Sequence, residues 1–326
     1  MATNISKKTS IDHQASNARH LLVGTLMVLV AAIALSSKAI IVKLAYVYPV
    51  DATTLIALRL AFSAPFFIAL AVWARLSEST PAISKHDAWA IVILGVVGGY
   101  APMWLDFSGL LYVTAGLERI ILFLYPTMVV VISAVLFKQR IGRREIFALI
   151  ASYIGVGLAV GHDFTVLKSG VGDTLLGASL VFASSLVYAG YLVYSGRIIP
   201  RIGPASFTAY NMLAATVASG VHFALSQDVG IMFHLPAQVY WLSLLMAIVA
   251  TVLPAILLSV GIHRIGSSKA SLVSSVGPVS TILLAYVFLG EGITWLQIAG
   301  TLLVLIGVLA ITVNAKKAVA VEAEVI

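Results

Sequence analysis

The sequence predicts an all-α integral membrane protein of ten transmembrane helices, arranged as two inverted five-helix repeats. Three observations carry this expectation. Of 326 residues, 60% are hydrophobic and 10% charged, whereas roughly a quarter of a soluble globular chain is charged. The apolar runs are continuous over about 20 residues, enough to cross a ~30 Å hydrocarbon core as helix, and lack the alternation of membrane strands. Finally, Leu117–Ala159 reads as a copy of Lys269–Ile311, displaced by 152 residues without a gap.

The apolar runs place spans at about 21–46, 53–74, 88–109, 116–137, 145–161, 174–194, 206–225, 238–260, 270–290 and 293–313. Residues 1–20 are polar and lack the apolar core of a signal peptide, so the first span directs insertion. Fifteen of the twenty Lys and Arg fall in the two tails and in alternate connections, while the opposite connections hold only Lys168. Positive charge is retained on the cytoplasmic side, so both termini are expected there, with 1–20 and 314–326 as tails. The net charge of +7 thus reflects topology, and no nucleic-acid partner is expected.

The 152-residue shift extends across both halves. It sets Pro126 over Pro278, Pro102 over Pro254, Gly155 over Gly307, Ala57 over Ala209 and Arg59 over Asn211. The units are 21–161 and 174–313. Five spans is an odd number, so the second unit is inverted relative to the first, a common ground plan of secondary transporters. Pro102, Pro126, Pro254 and Pro278 each remove a backbone donor inside a span and are the expected hinge or gating points.

Helical spacing sorts the polar residues into faces. Ala32, Ser36, Ala39 and Lys43 form one stripe of the first span, and Ser184, Tyr188, Tyr191 and Ser195 its counterpart in the sixth. The third span aligns Gly95, Gly99, Pro102 and Asp106; the fourth aligns Arg119 with Pro126, and the ninth aligns Ser267, Ser271, Ser274 and Pro278. The second gives Arg59 and the seventh Asn211. The candidate substrate cavity is therefore Arg59, Lys43, Ser36, Asp106, Arg119, Tyr188, Tyr191, Asn211, Ser271 and Ser274.

A charge near the centre of a span is unfavourable by roughly 2.5–3.5 kcal/mol, and such residues face an interior or a watery cavity. Arg59 lies too deep to snorkel easily and is the first functional candidate. Asp106 is expected to pair with Arg59 or Lys43, with proton coupling as its further role. Lys38 lies about 140° round the helix from Lys43 at ~100° per residue and falls off the stripe. Glu118, next to Arg119, is read as neutralising it, and Glu291 as a turn residue. Three lining cations against one anion favour a substrate carrying a carboxylate or phosphate, with Tyr188 and Tyr191 packing its apolar part.

The order of these features resembles the ten-span EamA-type members of the drug/metabolite transporter superfamily over nearly the whole chain. The resemblance rests on Lys43 and Arg59 in "VKLAYVYPVDATTLIALRLAF", the duplicated hairpins, and "LGEGITWLQIAGTLLVLIGV" with Glu291. The first half departs from the pattern at Gln139, where the family often places an acid. The resemblance implies a bacterial inner-membrane carrier of small polar metabolites, often an amino-acid exporter.

An ATP-driven pump is disfavoured, because no Gly-rich phosphate loop occurs. The alternative is an intramembrane enzyme acting on a lipid or polyprenyl substrate. The seven histidines are scattered, no cysteine occurs, and neither a metal nor a cofactor is expected. The expected partners are a small-molecule substrate, the bilayer and, as coupling ion, protons; oligomeric state is not legible.

Overall fold

The computed structural model describes residues 2–76, 83–138, 141–166 and 170–324; the side chains of 2–20, 162, 165–166, 267–268, 271 and 311–324 fall outside it. Gln139, Lys168 and the side chains of Ser267 and Ser271 therefore lie outside the described residues. Among the described residues all regular structure is helical, in ten long units and one short 3-10 helix, Val229–Phe233. The ten are α1 (Ala2–Ala45), α2 (Ala52–Leu76), α3 (Lys85–Gly109), α4 (Ala115–Phe137), α5 (Arg143–Val166), α6 (Val171–Ile202), α7 (Pro204–Ser226), α8 (Ala237–Gly266), α9 (267–289) and α10 (Trp295–Glu324). Eight of them contain a segment long and apolar enough to cross a membrane; in α10 the described apolar stretch is the shorter Trp295–Ala310. α7 interrupts its apolar residues with Asn211, His222 and several Ser and Thr. The chain is an all-α, multi-pass membrane protein.

Burial is inverted relative to a soluble protein. Ser36, Thr54, Ser63, Ser152, Ser184 and Thr281 are buried, while Trp73, Trp89, Val135, Trp241 and Val287 are exposed on the flanks. Hydrocarbon solvates the large apolar side chains, and hydroxyls turn inward, where carbonyls accept from Ser36, Ser63, Ser184 and Thr281. Three ends differ from the sequence expectation. α1 and α10 continue as helix through the segments expected as tails, and α6 runs on to Ile202, where Gly203 at φ +84° ends it.

The four prolines share one local geometry. Each stands in the first turn of a helical segment that restarts after an irregular stretch. In α3 a π-helical turn, Gly95–Tyr100, precedes Pro102; in α8 another, Ile248–Val252, precedes Pro254. In α4 the helix breaks at Phe123 and Leu124 before Pro126, and in α9 at Ser275 and Val276 before Pro278. A proline lacks the N–H that an unbroken helix would use, so the ladder loosens on its N-terminal side. Lys138 and Gly290, again 152 residues apart, close α4 and α9 in left-handed conformation.

Helix partners repeat in the same way. α1 packs on α8 and α9, as α6 packs on α3 and α4, while α2 meets α7 and α5 meets α10. At the end of the bundle away from the N-terminus, Val42, Ala45, Leu55, Ile56, Phe107, Leu110 and Met246 form a dense apolar plug with almost no exposed surface.

The α5–α10 contact depends on glycine. A Cβ on Gly300 would lie 2.5 Å from the Gly155 carbonyl oxygen, and one on Gly155 would lie 2.6 Å from that of Gly300. Gly157, on the same helix, faces open space. Gly300→Val should therefore lower the melting temperature in detergent, at an overpacking penalty of about 1–3 kcal/mol. Gly157→Ala should leave it unchanged or slightly raised. Equal melting temperatures for Gly300→Val and the parent chain would refute the close contact.

Candidate functional site

Two concavities stand out among the described residues. The smaller, about 460 Å³, lies on the flank between α3 and α6 and is lined by aliphatic residues such as Ile93, Val97 and Val187 and by Tyr191 and Tyr194, with no charged group to orient a polar ligand. The larger, about 700 Å³, lies among α1–α4, α6 and α8–α10 and contains the buried charges. It reaches from Lys38, Arg59 and Asp106, beneath the apolar plug, toward Ile262, Ala270 and Leu309 nearer the N-terminal end. Its volume falls in the range of sites for small metabolites, about 300–1,000 Å³.

Arg59 is 6% exposed. Its Nε and Nη2 donate to Thr251 Oγ1 at 3.1 and 3.0 Å, and the guanidinium lies 5.6 Å from the Phe107 ring centroid. Thr251 belongs to the π-helical turn of α8 and donates to the Met246 carbonyl. One guanidinium thus clamps α2 to the irregular turn of the other half, and its Nη1 is buried with no hydrogen-bond partner among the described residues. Arg119 lies against Gly277, where a Cβ would meet its Nη2 at 2.7 Å, and over the Phe123 ring at 6.0 Å. Its Nε is likewise buried with no hydrogen-bond partner among the described residues.

Across the cavity, Tyr125 and Tyr188 meet edge to face at 5.6 Å, and Tyr188 stacks on Tyr191 at 5.7 Å. Serines satisfy carbonyls at the irregular segments: Ser184 Oγ donates to the Pro102 carbonyl at 2.7 Å, Ser185 Oγ to that of Leu122 at 3.3 Å, and Ser36 Oγ to that of Gly277 at 3.0 Å.

The ion pairing corrects the sequence expectation. Asp106 pairs with Lys38, Nζ to Oδ2 at 2.5 Å, rather than with Arg59 or Lys43. Lys38 also pairs with Glu118 Oε1 at 2.8 Å, so Glu118 serves Lys38 before it serves Arg119. A single-stripe reading assumes one inward face, but α1 is packed by α4, α8 and α9 and looks inward over much of its circumference. Three cations and one anion do line the cavity, with Lys38 in the place expected for Lys43.

Arg59, Asp106, Arg119, Tyr188, Ser274, Pro102 and Pro126 line the cavity; Lys43, Ser36, Tyr191, Asn211, Pro254 and Pro278 do not. Asn211 is buried, accepts from the Tyr191 hydroxyl at 3.4 Å and lies beside Gly99 in the π-helical turn of α3. Sequence reasoning missed Lys38, Glu118, Thr251 and Tyr125 as site members. The available signal was two further ionisable residues within apolar spans, Lys38 and Glu118.

Lys43 belongs to a second polar cluster at the plugged end. There the first turn of α4 is fully capped. Asp163 accepts from Thr114 N at 2.8 Å and Thr114 Oγ1 at 2.7 Å, Glu291 accepts from Ala115 N at 2.9 Å and Gly116 N at 3.4 Å, and Leu117 N donates to Thr114 Oγ1 at 3.1 Å. These are the donors that a helix N-terminus leaves unpaired. Glu291, a turn residue of the second half, thus holds a helix of the first. Burial pushes the Asp163 carboxyl up to about 6, against the hydrogen bonds from Thr114, with Glu291 adding and Lys43 opposing. Burial also raises Glu291, with Ala115, Lys43 and Gly116 opposing. Among the described residues no group of three His, Cys, Asp or Glu could hold a metal ion.

The comparisons with known proteins agree with this architecture. The EamA-like transporter family model matches residues 22–161 and again 175–313. The chain is 32% identical over 294 residues to the uncharacterized transporter YcbK of Bacillus subtilis, covering 88% of this chain and 92% of that one. It is 26% identical over 238 residues to the uncharacterized inner membrane transporter YicL of Salmonella typhimurium, covering 72% and 76%. A solved crystal structure shares the fold at TM-score 0.60 and 18% identity, over 90% of this chain and 98% of its own.

The raised Asp163 value makes a pH prediction. A carboxyl with a higher value folded than unfolded binds its proton more tightly when folded. The stabilisation is complete below the ordinary value of 3.8 and is lost as pH rises through about 6. The melting temperature in detergent should therefore fall between pH 4.5 and pH 7, and less steeply in Asp163→Asn. Parallel pH profiles for the two proteins would contradict this assignment.

Proposed function

This chain belongs to the EamA-like transporter family, and we propose that it is a secondary carrier exporting a small carboxylate-bearing metabolite, such as an amino acid or organic acid. The observation that carries the reading is the pair of unsatisfied guanidinium donors, Arg59 Nη1 and Arg119 Nε, at the wall of the 700 Å³ cavity. A buried donor without a partner is unfavourable by about 1–3 kcal/mol, and a carboxylate suits two cationic donors. Tyr125 and Tyr188 offer an apolar face to the rest of such a substrate.

Alternating access between two inverted halves, 21–161 and 174–313, supplies the mechanism. The apolar plug closes the cavity toward one end, and the irregular turns before Pro102, Pro126, Pro254 and Pro278 are the hinges about which it opens. Glu291, gripping the first turn of α4 from the other half, is a latch of the plugged end. The protein resides in the bacterial inner membrane with both termini cytoplasmic, so the plugged end faces outward and the cavity communicates with the cytoplasm.

Counterflow in proteoliposomes with a panel of radiolabelled amino acids and small organic acids tests the carrier. Loss of one charge-assisted bond is worth about 1.5–3 kcal/mol. Arg59→Ala should therefore weaken half-saturation roughly 10- to 100-fold, with Arg59→Lys intermediate. Unchanged half-saturation in both variants would remove Arg59 from the substrate site.

A second measurement tests the hinges. Pro126→Ala restores a backbone donor in α4 and should slow counterflow several-fold while leaving equilibrium binding of the same substrate within about twofold. A proportional loss of binding and flux would instead make Pro126 part of the binding wall.

A further inference from the structure

The flank groove between α3 and α6 has a filled counterpart inside the molecule. The 152-residue shift sets its lining residues Leu94, Gly98, Tyr191 and Tyr194 over Met246, Ala250, Ala39 and Val42, all members of the apolar plug. In the plug the chain occupies this space with its own side chains. In the groove it does not: Ile93, Val97 and Tyr194 are about half exposed, and a Cβ on Gly190 would meet nothing within 4 Å. The two helices touch closely at Gly109 and Gly177 and again at Gly98, where a Cβ would lie 2.3 Å from Tyr191 Cδ2. From Gly98 toward the start of α3 they diverge. The stacked rings of Tyr191 and Tyr188 stand between the groove and the central cavity.

The groove has the depth of one leaflet. Along α6 its lining runs from Val187 to Ile198, eleven residues or about 16 Å at 1.5 Å per residue. Half of a ~30 Å hydrocarbon core is about as deep. Charge begins where the helices end. Tyr194, Ile198 and Arg201 share one face of α6, and His86, Ala90, Leu94 and Val97 share one face of α3, so each wall of the groove runs into a basic residue. Lys85 and His86 are exposed there, beside an exposed Trp89, the residue type that favours the headgroup region. Arg201 Nη2 reaches the two carboxylate oxygens of Asp87 at 3.0 and 3.3 Å, yet the arginine side chain is still 53% exposed. Asp87 itself is buried and accepts from Ser84 Oγ at 2.6 Å. The mouth therefore presents cations outward and keeps its carboxylate within.

We propose that this groove seats one acyl chain of an anionic phospholipid, with its phosphate held by Arg201 and Lys85 at the mouth. The acyl chain supplies from the bilayer what Met246, Val42 and their neighbours supply in the plug. Only Nη2 of Arg201 engages Asp87 among the described residues, so the outer edge of the guanidinium is available to a phosphate, which suits its paired donors. Basic pockets between transmembrane helices select anionic headgroups in this way. A zwitterionic lipid brings its own cation to the same two side chains and is held less well. In the orientation proposed above the mouth lies in the cytoplasmic leaflet, where anionic lipid is found. The site itself does not depend on the carrier reading, and its test needs no transported substrate.

Native mass spectrometry of the full chain in detergent, with phosphatidylglycerol and phosphatidylcholine of matched acyl chains, tests the headgroup. The parent chain should retain phosphatidylglycerol as a one-to-one adduct in preference to phosphatidylcholine. Loss of one cation in Arg201→Gln or Lys85→Gln should weaken that adduct roughly fivefold. Arg143→Gln, which removes an exposed cation away from the groove, should change it by less than about twofold. Gly190→Leu places a side chain in the open space and should abolish the adduct, while the gain in helix propensity keeps or raises its melting temperature. Phosphatidylglycerol with a photoreactive diazirine on its acyl chain should label the parent at the groove residues of α3 and α6. Equal retention of the two lipids overturns the headgroup assignment, as do equal losses in Arg143→Gln and Arg201→Gln, which would make it a diffuse basic surface. An undiminished adduct in Gly190→Leu, or label confined to other helices, overturns the groove; the labelling uses the parent chain and decides this even where a variant fails to fold. A dimer that Gly190→Leu dissociates would make the occupant a second copy of the chain and overturn the lipid.

Discussion

Lys38, Asp106 and Glu118 meet in a bundle surrounded by hydrocarbon, and much of the remaining structure follows from keeping those charges satisfied. Taking a carboxylate out of water is unfavourable by several kcal/mol, and an uncompensated one is not tolerated. Lys38 answers two of them at once, from a third helix. That contact requires α1, α3 and α4 to converge at one depth, with Glu118 only one turn inside the start of α4. The start of α4 is itself fixed by three side chains: Thr114 from its own connection, Asp163 from α5 and Glu291 from the other half. The buried charge cluster and the capped helix end are thus one construction, and neither half of the chain completes it alone.

The irregular turns belong to the same logic. A regular helix presents no free carbonyls and little space, whereas the π-helical turns of α3 and α8 and the breaks in α4 and α9 offer both. Polar side chains gather at these places. Arg59 docks on the turn containing Thr251, Ser184 and Ser185 answer carbonyls at Pro102 and Leu122, and Ser36 answers Gly277. Arg119 lies where Gly277 leaves room for it. Proline frees the backbone, glycine admits the guanidinium, and serine restores the hydrogen bonds that a membrane interior demands.

Much of the fold could be read in advance because its signals are one-dimensional. Apolar run length, charge alternation and the register of Pro126 with Pro278 survive without knowledge of which helices touch. The depth and burial of Arg59 were legible for the same reason, since depth is counted along the chain. The partners of Asp106 were not legible. They depend on the rotation of α1 within a ring of neighbours, and a helical wheel with one assumed inward face discards Lys38, about 140° from the favoured stripe. Glu118 was misjudged similarly: adjacency in sequence suggested Arg119, but successive helical residues point about 100° apart, and the partner came from another helix. The role of Glu291 as a cap on α4 required knowing that the α9–α10 turn lies over that helix, which no periodicity reveals.

The two halves have diverged at the positions where their shared frame meets the cavity. Arg59 and Asn211 are equivalent, as are Thr251 and Gly99. In one crossing a guanidinium finds a hydroxyl, and in the other an amide finds the space above a glycine. The equivalent of Arg119 is Ser271, and that of Glu118 is Ala270. Every buried charge of the cavity therefore comes from the first half, while the second supplies hydroxyls, aromatic rings and room. An inverted pair of identical halves would present the same field to a substrate from either side. Concentrating the charge in one half breaks that symmetry, so that the two access states of the same frame surround a charged substrate differently.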